Sequence, residues 1–433
     1  MYRFIIFTIQ IILLVIILTF LFSNPFIISL DIGNLKYSFT SNIFAILTIL
    51  FLLFFYVLVY LYFKSRFSIK KYLLNNKFKK LEKGYHYFVE AMIAVANKDN
   101  RSAIKFHKKM NVYLNEDPSL SLLLKSEVYK IDKNLNELSS VYETMIKSKK
   151  TEALGYRGLM ELNLNNQDYH HAFLYGEKLF YLNPSIEKLY ETLVYISAKT
   201  KNWNQLLVLS DKAYSKKIID RETLYENKSI GHYEIAKIKF SSNPKDALKD
   251  IIKALEFKKN FPPFIKLHLE IISQLNNLFL LKKMIKKYWL INPNFLLRSI
   301  VSQIIIQNKL TDLSFIYQVI KNNREENESK KLLIFFAIKN QEWKIARENI
   351  SGLIGSNPSR EICLFMADIE LGEHNDKQKS DSWILRSENL AIENSWICRI
   401  TNKTQEEWES LSNSGYFNSL VLFDSKMISS DLK

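Results

Sequence analysis

The stretch GYRGLMELNLNNQDYHHAFLYGEKLFYLNP, Gly155 to Pro184, concentrates residue types that could do chemistry: glycines bracketing Arg157, adjacent imidazoles at His170 and His171, and four tyrosines. Adjacent helix positions diverge by about 100°, so the two imidazoles cannot face one ion. Gly155 and Gly158 lie inside an amphipathic pattern and do not make a phosphate-cradling loop. Gly-x-x-x-x-Gly-Lys, His-Glu-x-x-His and Gly-x-Ser-x-Gly are all missing from the 433 residues, which removes the familiar nucleotide, zinc-protease and hydrolase signatures. Cys363 and Cys398 are too few for a disulfide framework or, alone, for a four-ligand zinc site. The expectation is a non-catalytic binding protein without cofactor or metal.

What must position these residues is a helix pair. With Ala153 as position 1 of a 34-residue frame, Tyr156 falls at 4, Leu159 at 7, Ala172 at 20, Leu179 at 27 and Pro184 at 32. This resembles the tetratricopeptide repeat, in which small residues at 20 let the second helix approach the first and a proline ends it. The frame recurs from Glu187, Pro262 and Asn327, and Gly84 to Pro118 has the same helix, polar turn, helix, proline order. Only 10 glycines and 8 prolines fit long helices with short polar connections. The expected fold is all-α: two N-terminal membrane helices, then a right-handed superhelix of tetratricopeptide-like helix pairs. The resemblance places positions 2, 5, 9, 12 and 13 of the first helix on the inner surface. That makes Arg157, Glu161, Leu164 and Asn165, then Lys188, Glu191, Tyr195 and Lys199, the candidate partner groove.

The N-terminus carries two uncharged apolar runs, Phe4 to Phe22 (19 residues) and Ile43 to Phe63 (21 residues). Each suffices to cross a ~30 Å hydrocarbon core at ~1.5 Å per residue. Lys64, Arg66, Lys70, Lys71, Lys77, Lys79 and Lys80 follow the second run with no acid before Glu82. The positive-inside rule then puts both termini in the cytoplasm. Those cations are expected to touch anionic lipid, worth about 1 kcal/mol each. The net charge of +16 reflects a lysine-rich composition; no aromatic interleaving or nucleic-acid-binding module accompanies it. The domains expected are an anchor over 1–63, with spans 4–22 and 43–63 and a short outside hairpin 23–42 turning at Gly33-Asn34; a basic juxtamembrane segment over 64–81; a repeat domain over 82–393; and a tail over 394–433.

Two spans, an outside hairpin, a basic flank, "GYRGLMEL…NNQDYHHAFLYGEKLFYLNP" and "NWNQLLVL" together resemble the HemY family, membrane proteins encoded with heme-biosynthesis genes in proteobacteria. The tail, "SWICRITNKTQEEWESLSNSGYFNSLVLF", resembles the family's zinc-ribbon-like ending. Trp396, Cys398, Trp408, Gly415 and Phe417 match that ending, Thr401 stands in the second cysteine place, and Ser412 and Ser414 lie in the region of the other pair. One thiolate cannot hold zinc, so a degenerate tail without metal is expected. The resemblance implies a scaffold in the bacterial inner membrane that organises late heme (porphyrin) biosynthesis enzymes. Two alternatives stand beside it: a scaffold for lipopolysaccharide assembly, and a tetrapyrrole carrier using His86, His107 or Tyr85.

Overall fold

The computed structural model describes residues 2–23, 26–33, 35–114, 118–355, 358–388 and 396–422. Asn34 of the expected turn, 115–117 of the first repeat unit, 389–395 at the end of the repeats and 423–433 of the tail lie outside these residues. The chain divides into two compact units, Met1–Leu138 and Ser139–Lys433, and the division falls inside the stretch 82–393.

The first unit opens with α1 (Tyr2–Ser23) and an antiparallel hairpin, β1 (Ile27–Ile32) and β2 (Leu35–Thr40), with Ile32 opposite Leu35. α2 (Ser41–Ala96) then runs unbroken for 56 residues, through positions 63 and 81 alike. It has no internal proline to stop it. Its first half is apolar and exposed, whereas Gly84, Ala91 and Ala94 are buried against α3 (Asn100–Tyr113) and α4 (Pro118–Asp132). Two spans were expected; among the described residues one helix, α2, is long and apolar enough to cross a membrane. α1 covers the other run as 22 helical residues; half of its side chains are described, and among them Ile12 to Ile17 are exposed.

The second unit begins within α5 (Leu135–Met145) and continues as helix pairs: α6 (Glu152–Asn165) with α7 (Tyr169–Leu182), α8 (Leu189–Lys199) with α9 (Trp203–Ser215), and α10 (Arg221–Lys239) with α11 (Pro244–Phe257). There follow α12 (Pro262–Gln274) with α13 (Leu278–Ile291), α14 (Phe295–Gln307) with α15 (Leu313–Ile320), α16 (Asn327–Lys339) with α17 (Trp343–Ser351), and α18 (Arg360–His374) with α19 (Lys377–Glu388). The described residues are therefore overwhelmingly helical and tetratricopeptide-like in their pairing. Two small sheets are the exception, and the second of them, in the tail, matters for the site.

The turns inside the pairs explain how so few glycines suffice. Gln167, Lys201, Asn276, Lys309 and Gln341 adopt left-handed backbone, with φ between 54° and 61°. Each lies where the next N–H closes a bond five residues back, as in Asp168 N–H to Asn163 O (2.8 Å) and Glu342 N–H to Ala337 O (2.8 Å). In four of these five pairs an Asp or Asn then caps the second helix: Asp168 accepts from the His171 N–H, Asn202 from Gln205, Asn277 from Leu280 and Asp312 from Ser314.

Close approach between helices is set by small residues. A Cβ added to Gly158 would sit 2.3 Å from Cζ of Tyr142, a ring that is itself 4% exposed and has no room to retreat. Gly158→Ala is expected to destabilise the second unit by about 1–3 kcal/mol. Urea denaturation of the full chain in detergent checks this; an unchanged midpoint would contradict the packing.

Polar order also crosses the array. Arg298 on α14 is 4% exposed. It donates from Nε to Glu328 Oε2 on α16 (2.8 Å) and from Nη2 to Glu361 Oε2 on α18 (2.7 Å). Lys331 Nζ closes the network at 3.1 Å from Glu328 and 3.4 Å from Glu361.

Candidate partner-binding surface

The tail folds onto the helices. β3 (Trp396–Cys398) is the central strand between β4 (Thr404–Gln405) and β5 (Leu420–Leu422), all antiparallel. Trp408 lies edge-on to Phe261, Tyr233 and Phe264, with ring centroids 5.1, 5.5 and 5.7 Å apart. Trp396, Cys398, Trp408 and Leu420 are buried in one cluster with residues of α10, α11 and α12. Leu411 and Phe417 pack against the cluster built by α7, α8 and α9. Polar contacts fix the register: Asn418 Nδ2 donates to Glu226 Oε2 (3.0 Å) and Lys266 Nζ to Glu407 Oε1 (3.1 Å). Burial pushes the Glu234 carboxyl up, and a hydrogen bond from Ser410 of the tail partly offsets this.

α8, α10 and α12 are first helices of their pairs, the helices whose inner faces the tetratricopeptide resemblance makes available to partners. Over this stretch the chain's own tail lies against them. The sequence held one signal of this: Tyr233, Phe261 and Phe264 are aromatic residues in excess of what a helix pair needs for its own core. A cleft of about 400 Å³ remains where Trp396 and Trp408 meet Tyr233, Lys266 and Glu270.

The residues named as a groove occupy several situations. Arg157 pairs with Glu161 on the exposed face of α6 (2.8 Å), and Asn165 is exposed at that helix's end. Lys188 is the left-handed cap before α8 (φ 59°), and Glu191 is exposed in the first turn. Tyr195 is half-buried against the Tyr169 ring, 6.4 Å away, with Lys199 Nζ 5.8 Å from its centroid. Lys199 also approaches the tail: a Cβ placed on Gly415 would sit 3.8 Å from its Nζ. His171 Nδ1 is 2.7 Å from Asp168 Oδ2, so this imidazole belongs to the α7 cap. His86 and Tyr85 are exposed on α2. His107 Nε2 lies 3.2 Å from Ser121 Oγ and 3.3 Å from Asn111 Nδ2, and burial holds its pKa below the usual value.

Lys64, Arg66, Lys70, Lys71, Lys77, Lys79 and Lys80 are all exposed on α2. At about 100° per residue they surround the axis instead of forming one stripe. That distribution suits a helix leaving a charged surface end-on better than one lying flat on it.

The tail keeps the turn after Cys398, with Cys398 N–H bonded to Lys403 O (2.9 Å) and Asn402 N–H to Cys398 O (2.8 Å). Around the thiol stand hydroxyls: Ser419 Oγ at 3.3 Å from Sγ, and Thr401 Oγ1 paired with Ser414 Oγ at 3.0 Å. Ser412 Oγ accepts from the Tyr416 N–H (3.1 Å). One thiol among hydroxyls does not fit zinc's demand for four nitrogen, thiolate or carboxylate ligands. Among the described residues no cluster of three His, Cys, Asp or Glu side chains is placed to hold a metal.

The Ser419 hydroxyl, then that of Thr401, with the backbone N–H groups of 400 and 401, holds the Cys398 thiol down at about 6. Because this lies below the unfolded value of about 8.5, its stabilising contribution is full above about pH 8.5 and is lost as pH falls through about 6. In a Cys363→Ala background, thiolate absorbance at 240 nm should titrate near pH 6. Adding Thr401→Val and Ser419→Ala should move the midpoint up. A parent midpoint near 8.5 would contradict the hydroxyl cage.

No protein-family model matches the chain, and no curated protein matches its sequence. Among solved structures, the TPR2AB-domain:pHSP90 complex of yeast Sti1 aligns over 71% of this chain and 99% of that one, at 10% identity and a TM-score of 0.31. Naa15/Naa10 bound to HypK-THB aligns over 71% of this chain and 50% of that one, at 14% identity and a TM-score of 0.39. Yeast Tom70 aligns over 72% and 77%, at 16% identity and a TM-score of 0.30. At such scores the tetratricopeptide-like architecture rests on this chain's own helix pairs and the turns that join them.

Proposed function

We propose that this protein is a non-catalytic, membrane-anchored scaffold that binds protein partners beside a bacterial inner membrane. The observation that carries the proposal is α2, one helix whose exposed apolar half continues without a break into the buried positions packed by α3 and α4. Such a helix transmits the position of an anchor directly to the first repeat. Both termini are cytoplasmic in this proposal, α1 is the companion span, and the ring of lysines on α2 contacts anionic headgroups. The stacked helix pairs supply the partner-binding surface, modified by the docked tail.

The resemblance of the sequence to the HemY family, in its element order and tail, supports late heme-biosynthesis enzymes as the partners. Affinity purification of the full chain from solubilised membranes should recover porphyrin-pathway enzymes. Recovery of lipopolysaccharide-assembly enzymes alone would overturn the heme assignment and leave the scaffold standing. A reporter fused after Lys433 that is active only outside the cytoplasm would overturn the topology.

A further inference from the structure

A second cleft, about 520 Å³, is shared by the α11–α12 loop, the α13–α14 loop and β5. Its polar lining consists of Lys258, Arg399 and the carboxamides of Asn260, Asn292, Asn294 and Asn418, with no carboxylate among the lining residues. Beside the cleft, Glu226 is 3.9 Å from Lys258 Nζ and already accepts from Asn418. Arg399 is exposed, and its guanidinium has no partner among the described residues. α14 begins at this cleft: the Asn294 side chain caps the Leu297 N–H (2.9 Å), which leaves the N–H groups of Phe295 and Leu296 at the positive end of the helix. The site is therefore cationic and rich in donors.

Its wall is a strand edge. Among the described residues β5 pairs only with β3, in the register Trp396 with Leu422, Ile397 with Val421 and Cys398 with Leu420. The Arg399 N–H donates to Ser419 O (2.9 Å), so the mutually bonded pairs are 399 with 419 and 397 with 421. The alternation turns the N–H and C=O of Leu420 and Leu422 away from β3, toward the open edge. An edge with unmet backbone groups is a template for another strand. A small inorganic anion would satisfy the cations but leave this edge and the apolar floor of Phe295, Leu296 and Leu420 unused.

We propose that this cleft binds an extended peptide of a partner protein, which adds to β5 as a fourth strand and sets a carboxylate between Arg399, Lys258 and the α14 N-terminus. The proposal deepens the scaffold reading by naming the chemistry of the partner segment.

The probe is a fluorescein-labelled octapeptide of alternating threonine and valine ending in leucine with a free α-carboxylate, titrated by anisotropy with the full chain in detergent. Amidating the peptide's terminus, or making Arg399→Glu, should weaken binding by about tenfold or more, the scale of one lost charge-assisted pair. Leu422→Pro removes an outward N–H while leaving the β3 ladder intact, and it too should weaken binding. Equal affinity for acid and amide overturns the carboxylate site. A Leu422→Pro chain that binds like the parent, or full displacement by millimolar inorganic phosphate with no effect of Leu422→Pro, overturns strand addition. The peptide titration decides the cleft and the membrane purification decides the scaffold, so either fails without the other.

Discussion

Replacing Trp408 by alanine is expected to destabilise the second unit by about 3–5 kcal/mol, the cost of deleting a large buried aromatic side chain. Trp408 is 6% exposed and stands edge-on to three rings, Tyr233 of α10, Phe264 of α12 and Phe261 just before α12, with every centroid within 5.7 Å. Its removal leaves a cavity bounded by helix side chains that are pinned in their own pairs and cannot close in. The measurement is thermal unfolding of the full chain in detergent, where a fall of roughly 2–4 °C per kcal/mol is the usual scale for a body of this size. A Trp408→Phe variant should recover part of the loss. If the tail merely accompanied the array, Trp408→Ala would leave the helical transition where it is.

Arg298→Met should cost a comparable 3–5 kcal/mol, for an electrostatic reason. Among the described residues the guanidinium is the only cation bonded to both Glu328 and Glu361 at 2.8 Å or less. Without it two part-buried carboxylates share Lys331 alone. Restoring neutrality with Glu328→Gln and Glu361→Gln in the same chain should recover most of the loss, because replacing all the charges of a buried network is far cheaper than removing one. The pH dependence is a second readout. Burial pushes the Glu328 carboxyl up, but the Arg298 hydrogen bond and charge, helped by Lys331, bring it below its usual value. A depressed carboxyl stabilises the fold above its unfolded pKa of about 4.3, and the contribution is lost as pH falls through the lower folded value. Arg298→Met should flatten or reverse that slope, since a part-buried carboxylate that shares a single lysine with a second acid is more readily protonated. A variant that loses stability on acidification as the parent does would sink this account.

Much of the repeat fold is legible in local residues. Tyr156, Leu159, Ala172 and Pro184 mark one helix pair by spacing alone, and Pro262 and Asn327 each open a first helix where the frame puts one. The pairs α10 with α11, α14 with α15 and α18 with α19 are less legible, because α10 runs 19 residues and α15 only 8, which breaks a fixed period. In the structure Asp220, Asn243, Asn294 and Ser359 cap helices of these pairs. The candidate site was less readable than the fold. Arg157, Glu161 and Asn165 follow from a frame position, but which first-helix faces the tail covers depends on contacts such as Asn418 with Glu226, 192 residues apart.

The sequence by itself determined the apolar N-terminal runs, the basic flank and the recurring helix pairs, because each depends on residues within a few positions of one another. Tertiary structure decided that Trp396 and Trp408 complete the core of α10 to α12, that Arg298 reaches 30 and 63 residues along the chain to its two acids, and that β5, among the described residues, keeps an open edge beside Arg399. Periodicity specifies which face of an element is apolar, but only the packed chain specifies what comes to cover it.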